Sequence, residues 1–390
     1  MRKSVFKTVA FFLALIIILS CFSSFNILAD ESYDIFTYRI SGNEAVLTKV
    51  ANTASGEITV PDTLGGYSVT VIDGAFSNKS KVTGVTIPDT VTTITANSFS
   101  YCAKLKNINF SSNLVVIGEA AFCGCVSLEK LDLPDSISSI APYAFAWCEK
   151  LSTVKLPGSL DVIEKSLFSG CSALDDIDIP DSVAYIMQGA FYQTKYYNTE
   201  SNWENNVLYI GSHLIEAKTT ITGVCEVKPG TKSVASRAFN MCKSLEGVII
   251  YNDTKTIGEA AFYGCSLLAD VYYGGTVDNR RKLDVGKNNN FFSNALWHYN
   301  YNPDVKEYVP GDINGDDVVN MKDALRLLKY HSGWDVEVIE SVLDVNGDNA
   351  ENNKDITRLL KHLSGWDVKI YSKNVGVEFD DDDHGPVISF

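Results

Sequence analysis

The sequence predicts an α/β solenoid, a stack of short turns carrying a parallel β-sheet, followed by a small all-α unit made of two loop–helix segments. Three observations predict it. Phenylalanine recurs every 23 residues at Phe76, Phe99, Phe122, Phe145, Phe168 and Phe191. An alternating apolar pair follows each at a fixed offset. Near the C-terminus, a twelve-residue acidic stretch and the apolar run after it occur twice, 32 residues apart.

The repeat is internally consistent. Small residues precede most of the phenylalanines (Ala75, Ser98, Ala121, Ala144, Ala190), and Val82, Leu105, Leu128, Leu151 and Leu174 follow six places on. Then come Val85/Ile87, Ile108/Phe110, Leu131/Leu133, Val154/Leu156 and Ile177/Ile179. Alternation at period two argues a short strand in each turn. Pro88, Pro134, Pro157 and Pro180 stop it. Ile94, Ile117, Ile140, Ile163 and Ile186 line up after that. One such unit cannot bury its own apolar face, so the turns must stack, about 4.8 Å apart. The Ala-Phe segment is then a short helical or looped return.

The array has ends and one break. Tyr33 to Leu64 reads as an N-terminal cap and Val271 to Asn302 as a closing turn. Between Phe191 and Phe239 the interval is 48, after which Phe262 restores the period. Tyr192, Tyr196, Tyr197, Trp203 and Tyr209 cluster in that gap. They read first as core, and second as rings that stack on sugars. Cys102, Cys125, Cys148, Cys171, Cys242 and Cys265 each sit three places after a repeat phenylalanine. A small thiol filling one slot per turn is the favoured reading. Stacked turns also bring neighbouring Cα atoms near disulfide range. No His lies at a matching spacing, which argues against zinc.

The Ile-Pro-x-x-Val/Ile-x-x-Ile-x-x-x-Ala-Phe-x-x-Cys wording of these turns resembles the leucine-rich repeats of bacterial surface antigens, from about Tyr33 to Asn302. That resemblance implies a binding surface for an unidentified protein or glycan.

The duplicated stretch has the spacing of a calcium loop. Ca²⁺ takes about six to eight oxygen ligands, and a twelve-residue loop supplies them from places 1, 3, 5, 7, 9 and 12. In the first copy these are Asp312, Asn314, Asp316, Val318 (through its carbonyl), Asn320 and Asp323. In the second they are Asp344, Asn346, Asp348, Ala350, Asn352 and Asp355. Asp317 and Asn349 replace the usual sixth-place glycine, and Asp replaces Glu at the twelfth. The eighth place is Val319 in one copy and Glu351 in the other, so the second of the two Ca²⁺ sites is expected to be the weaker.

A helical pattern follows each loop and none precedes it. Leu325, Leu327 and Leu328, then Ile356, Leu359 and Leu360, give each helix an apolar face, and Gly333 and Gly365 are stop signals. Loop-then-helix, twice, with Arg-Leu-Leu-Lys and Gly-Trp-Asp-Val in both copies, resembles the type I-like dockerin domain. The resemblance implies a cohesin module of a scaffold protein as partner, in a cellulosome-type complex that degrades polysaccharide. It places the contacts at Met321, Lys322, Leu328 and Lys329, and at Asn353, Lys354, Leu360 and Lys361.

Composition narrows the rest. A net charge of −15 argues against nucleic acid as a partner. Arg2, Lys3 and Lys7 before the apolar run Val9–Leu19 read as a secretory signal peptide cleaved after Ala29, with a lipidated Cys21 as the alternative. The run is short for a membrane span, and none other is long enough. The mature chain is therefore expected outside the cell. The segments are then 1–29 signal peptide, 30–302 solenoid, 303–309 linker, 310–370 dockerin and 371–390 acidic tail, the last without periodicity.

No catalytic constellation emerges. Asp132, Asp176 and Asp178 face outward on the predicted strands, where a glycosidase-like pair is imaginable, but a solvated sheet face is the simpler reading. No phosphate loop and no H-E-x-x-H motif occurs. The sequence thus predicts a non-catalytic secreted component. The alternatives are a polysaccharide hydrolase or its carbohydrate-binding accessory, and a dockerin-borne adhesin or inhibitor.

Overall fold

The computed structural model describes residues 30–303, 311–316, 318–346, 350–366, 368 and 370. The expected signal peptide, the acidic tail and the linker beyond Pro303 lie outside the described residues.

The long region is a β-solenoid, and each regular turn carries two strands where the sequence pointed to one. The first strand forms at the alternating pair. Val82–Thr86 pairs in parallel with Asn107–Asn109, and Lys130–Asp132 with Thr153–Lys155, which pairs with Asp176–Asp178. The second forms at the repeated isoleucine, where Thr93–Ile94, Val116–Ile117 and Ser139–Ile140 pair in parallel. It is two residues long, too short to show alternation in sequence. Registers follow the repeat, so that Leu131 lies beside Val154 and Val154 beside Ile177.

The return segment is a looped turn whose backbone is paired along the solenoid axis. Asn97, Ala120, Tyr143 and Ser166, each two places before a phenylalanine, hold φ between 51 and 60°. The N–H groups of Asn97, Phe99 and Tyr101 then donate to the carbonyls of Glu119, Ala121 and Cys123 in the next turn. A buried loop with unpaired backbone groups would cost too much to persist.

The repeat phenylalanines form a continuous buried stack. Ring centroids from Phe76 to Phe191 are 4.7, 4.8, 5.4, 5.8 and 6.0 Å apart, with planes within 13°. A second stack runs Phe239, Phe262, Phe292 at 4.9 and 4.5 Å. Phe292 escaped the periodic pattern because it follows Phe262 by 30 residues. The described cysteines are free thiols. In the ladder, the Cys102, Cys125, Cys148, Cys171 and Cys265 thiols each donate to the phenylalanine carbonyl one turn back, at 2.9–3.3 Å. The slot therefore takes a small buried donor, which a free thiol supplies and a disulfide sulfur does not.

Both ends are closed. At the N-terminus, Phe36–Ser41 and Glu44–Val50 form an antiparallel hairpin whose second strand pairs in parallel with Tyr67–Ile72. At the far end, buried Asn289 accepts from the Phe262 N–H at 2.9 Å and donates to the carbonyls of Gly258 and Gly286.

At the break, Thr194 caps a single helical turn, Lys195–Asn198. Val207–Ile210 and His213–Ala217 then form a hairpin turned by Gly211, whose φ is 56°. The Ser236 N–H donates to the Ile186 carbonyl at 2.8 Å, tying the second stack to the first. Tyr209 is buried, and Tyr196, Tyr197 and Trp203 pack on the core. Tyr192 is exposed.

Candidate functional site

The two loop–helix segments form a separate small core with visible internal symmetry. Ile313 and Val345, Ala324 and Ile356, and Leu327 and Leu359 are buried pairs at the same 32-residue offset. The helices run Met321–His331 and Asn353–Leu363. Gly333 and Gly365, both at φ 78°, follow the C-caps Ser332 and Ser364.

The ninth and twelfth loop places serve twice, as candidate ligands and as helix cap. Asn320 and Asn352 are N-caps whose side chains accept from the N–H groups of Lys322 and Lys354. Asp323 and Asp355 complete capping boxes by accepting, through Oδ2, from the N–H groups of Asn320 and Asn352 at 2.8 Å. Their Oδ1 atoms accept from the N–H groups of the third-place residues, Asn314 and Asn346, at 3.1 and 3.0 Å. Asp312 Oδ1 accepts from the N–H groups of Gly315 and Asp316.

Asp312, Asp323 and Asp355 have no exposed surface, and Asp344 has 4%. Buried carboxylates of this kind need compensating positive charge. The donors around Asp323 are backbone N–H groups and the Asn314 amide. A hard dication would supply that charge, and an all-oxygen donor set suits Ca²⁺. Asp316, Val318, Asn320, Ala350 and Asn352 complete what is described of the two sets, while Asp348, Asp317 and Asn349 lie outside the described residues. Among the described residues no group of three or more His, Cys, Asp or Glu side chains is gathered as a metal cluster. The candidate loops mix carboxylates with amide and main-chain oxygens instead.

The helices correct one expectation. Leu325, Leu328 and Leu360 are exposed, while Ala324, Leu327, Ile356 and Leu359 form the core. A two-helix unit buries one narrow row, and the next row remains on the surface. Of the partner-contact candidates, Met321, Lys322, Leu328, Asn353, Lys354, Leu360 and Lys361 are exposed and Lys329 is half-buried. Trp334 and Trp366 of the shared Gly-Trp-Asp-Val wording were not among the contact candidates; they are exposed, with the ammonium groups of Lys329 and Lys361 over their rings at 5.6 and 5.3 Å. Their recurrence 32 residues apart was the available signal.

The remaining candidates lie on the solenoid. Asp132, Asp176 and Asp178 are exposed and share the sheet face with Lys130 and Lys155. His213 is buried against the Ser233 hydroxyl at 2.8 Å, and burial lowers its pKa to about 4. His298 pairs with Asp270 at 2.8 Å.

Stacked turns with two parallel ladders, joined to a paired loop–helix unit, define a repeat protein with a docking module. The chain belongs to the BspA type leucine rich repeat family. That family's repeat region matches residues 69–198 and 189–282 in six copies, and the Dockerin type I domain matches residues 310–364. Among solved structures, a leucine rich cell surface protein from Faecalibacterium prausnitzii is 23% identical, with a TM-score of 0.44 over 66% of this chain and 98% of that one. A leucine-rich repeat protein from Bacteroides ovatus is 26% identical, with a TM-score of 0.38 over 62% and 70%. No curated protein matches the chain. Both families are non-catalytic, and they give the chain a docking and protein-interaction role. Dockerin type I domains generally bind calcium, and a dockerin implies a cohesin partner. No helix among the described residues is long and apolar enough to cross a membrane.

Proposed function

We propose that this chain is a non-catalytic, secreted component of a polysaccharide-degrading multi-enzyme complex. Residues 310–370 dock to a scaffold cohesin and residues 30–302 present a binding surface, with 303–309 as the linker between them. The observation that carries the docking half is the repetition of one geometry at the 32-residue offset. Each copy has buried first- and twelfth-place carboxylates and an Asn–Asp capping box, and each leads into an exposed helix surface.

Two Ca²⁺ ions are proposed, one per loop. The first is held by Asp312, Asn314, Asp316, Val318, Asn320 and Asp323. The second is held more weakly by Asp344, Asn346, Asp348, Ala350, Asn352 and Asp355, because Glu351 is exposed where Val319 packs inward. The cohesin contacts are Met321, Lys322, Leu328 and Lys329, and their counterparts Asn353, Lys354, Leu360 and Lys361.

The test mixes the full chain with a scaffold fragment bearing type I cohesin modules and follows both by size-exclusion chromatography. Co-elution in calcium is expected, with no reducing sugar released from cellulose, xylan or starch by the chain alone. Separate elution in calcium would refute the docking role. Sugar release that disappears in an Asp176→Ala/Asp178→Ala variant would refute the non-catalytic one.

A further inference from the structure

The slot two places after each repeat phenylalanine runs Asn78, Tyr101, Gly124, Trp147, Gly170, Gln193. All six residues are left-handed, with φ between 57 and 79°. Bulky L-residues adopt that conformation at a cost, whereas glycine does so freely. Yet Tyr101 is 60% and Trp147 51% exposed, so burial does not offset the strain. The glycines between them are coupled to the rings. A methyl at Gly124 would meet the Tyr101 ring at 2.7 Å, and one at Gly170 would meet the Trp147 ring at 2.6 Å. Each ring therefore lies along the backbone of the next turn, and the alternation leaves room for it.

A further exposed ring lies at the break in the array. The Gly170 N–H donates to the Tyr192 carbonyl at 2.8 Å, which places Tyr192, 46% exposed, in the turn after Gly170 and one place before the slot residue Gln193. Tyr101 and Trp147 thus occupy one slot two turns apart, and Tyr192 lies two turns beyond Trp147, one residue out of that slot. Successive phenylalanine rings alongside are 4.8 and 5.4 Å apart, so two turns advance about 10 Å.

Tyr192 also lines a cavity of about 810 Å³ between the two stacks. Gln188, Asn198, Asn240 and Arg237 are among the residues that line it. Glu216 accepts the Tyr197 hydroxyl at 3.0 Å, and burial raises its carboxyl above the usual range. Lys218 pairs with Glu200 and lies over the Trp203 ring at 5.0 Å.

We propose that Tyr101 and Trp147, with Tyr192 and the cavity it lines, bind an extended, uncharged polysaccharide chain. The aromatic faces take the C–H faces of sugar rings. The two-turn spacing suits a β-1,4-linked chain, in which every second sugar presents the same face. The cavity offers hydroxyl groups a close mixture of donors and acceptors, with cations and carboxylates nearly balanced. This rests on the reading of the repeat array as the ligand-binding part of the molecule.

The test is affinity electrophoresis of the calcium-loaded full chain in gels containing hydroxyethyl cellulose, arabinoxylan or amylose. Retardation by at least one of the two β-linked polymers, and none by amylose, is expected. Tyr101→Gly and Trp147→Gly place in the slot the residue that Gly124 and Gly170 already supply. They should leave the melting temperature within about 3 °C and weaken the retardation at least tenfold. Glu216→Gln should weaken it as well. Unretarded migration in both β-linked polymers, equal retardation by amylose, or variants that bind like the parent would overturn the proposal. Cohesin co-elution of the same preparations reads the docking half separately, so either half can fail without the other.

Discussion

Cys148 has no exposed surface, and its thiol donates to the Phe122 carbonyl at 3.3 Å. Burial raises the thiols of Cys125 and Cys148 well above their ordinary range, that of Cys102 to about 11 and that of Cys265 to about 12. The thiolate is the reactive form, so the ladder should resist thiol reagents until the chain unfolds. Cys123 lies outside the ladder slot and is half-buried. Mapped labelling should find it reacting first among the described cysteines, and several fast ladder thiols would contradict this. His213 gives a second residue-scale prediction. Its folded pKa of about 4 lies below the unfolded value of about 6.5. The unfolded chain therefore binds the extra proton between those values. The residue's contribution is intact above pH 6.5 and is lost as pH falls toward 4, up to about 3 kcal/mol. Melting temperatures measured from pH 7 to 4.5 should fall, and the fall should be shallower in His213→Gln.

At the scale of elements, the short helices depend on the loops before them. Asp323 is N3 of its capping box and the proposed twelfth-place ligand, so Asp323→Ala should remove about 1 kcal/mol of capping and calcium affinity together. Far-UV circular dichroism should show helix lost on chelation in the parent, and partly lost even in calcium in the variant. Asp312→Ala should cost more calcium affinity than Asp344→Ala if Glu351 already weakens the second loop, and calorimetric calcium titration decides the order. In the solenoid, Phe145 sits inside the first ring stack with no exposed surface. Phe145→Ala should cost about 3–5 kcal/mol. Hydrogen exchange should rise around Phe122 and Phe168 more than around Phe239 and Phe262, because turns contact chiefly their neighbours. Uniform loss of protection across both stacks would contradict that reading.

At the scale of the molecule, the sequence made the recurring features legible. The 23-residue phenylalanine spacing and the 32-residue loop offset each repeat one local chemistry several times. What it hid was singular or relational. The two-residue ladder at Ile94 and Ile117 is too short to alternate. Phe292 joins its stack from outside the period. Leu325 and Leu328 look like core until the narrowness of a two-helix contact is seen. Tyr101 and Trp147 gain meaning only beside the glycines of the following turns. The internal duplication also implies two docking orientations. A half-turn would exchange the proposed contacts Met321, Lys322, Leu328 and Lys329 for Asn353, Lys354, Leu360 and Lys361. Lys322→Asp with Lys329→Asp should then weaken cohesin binding only slightly, as should the equivalent pair in the second copy, and all four changes together should abolish it.

Calcium-dependent docking through the paired loops is measured by titration calorimetry of the full chain against a type I cohesin module, first in calcium and then in excess chelator. One cohesin should bind per chain in calcium, with no measurable binding in chelator and recovery when calcium is restored. Binding of undiminished affinity in chelator would contradict it.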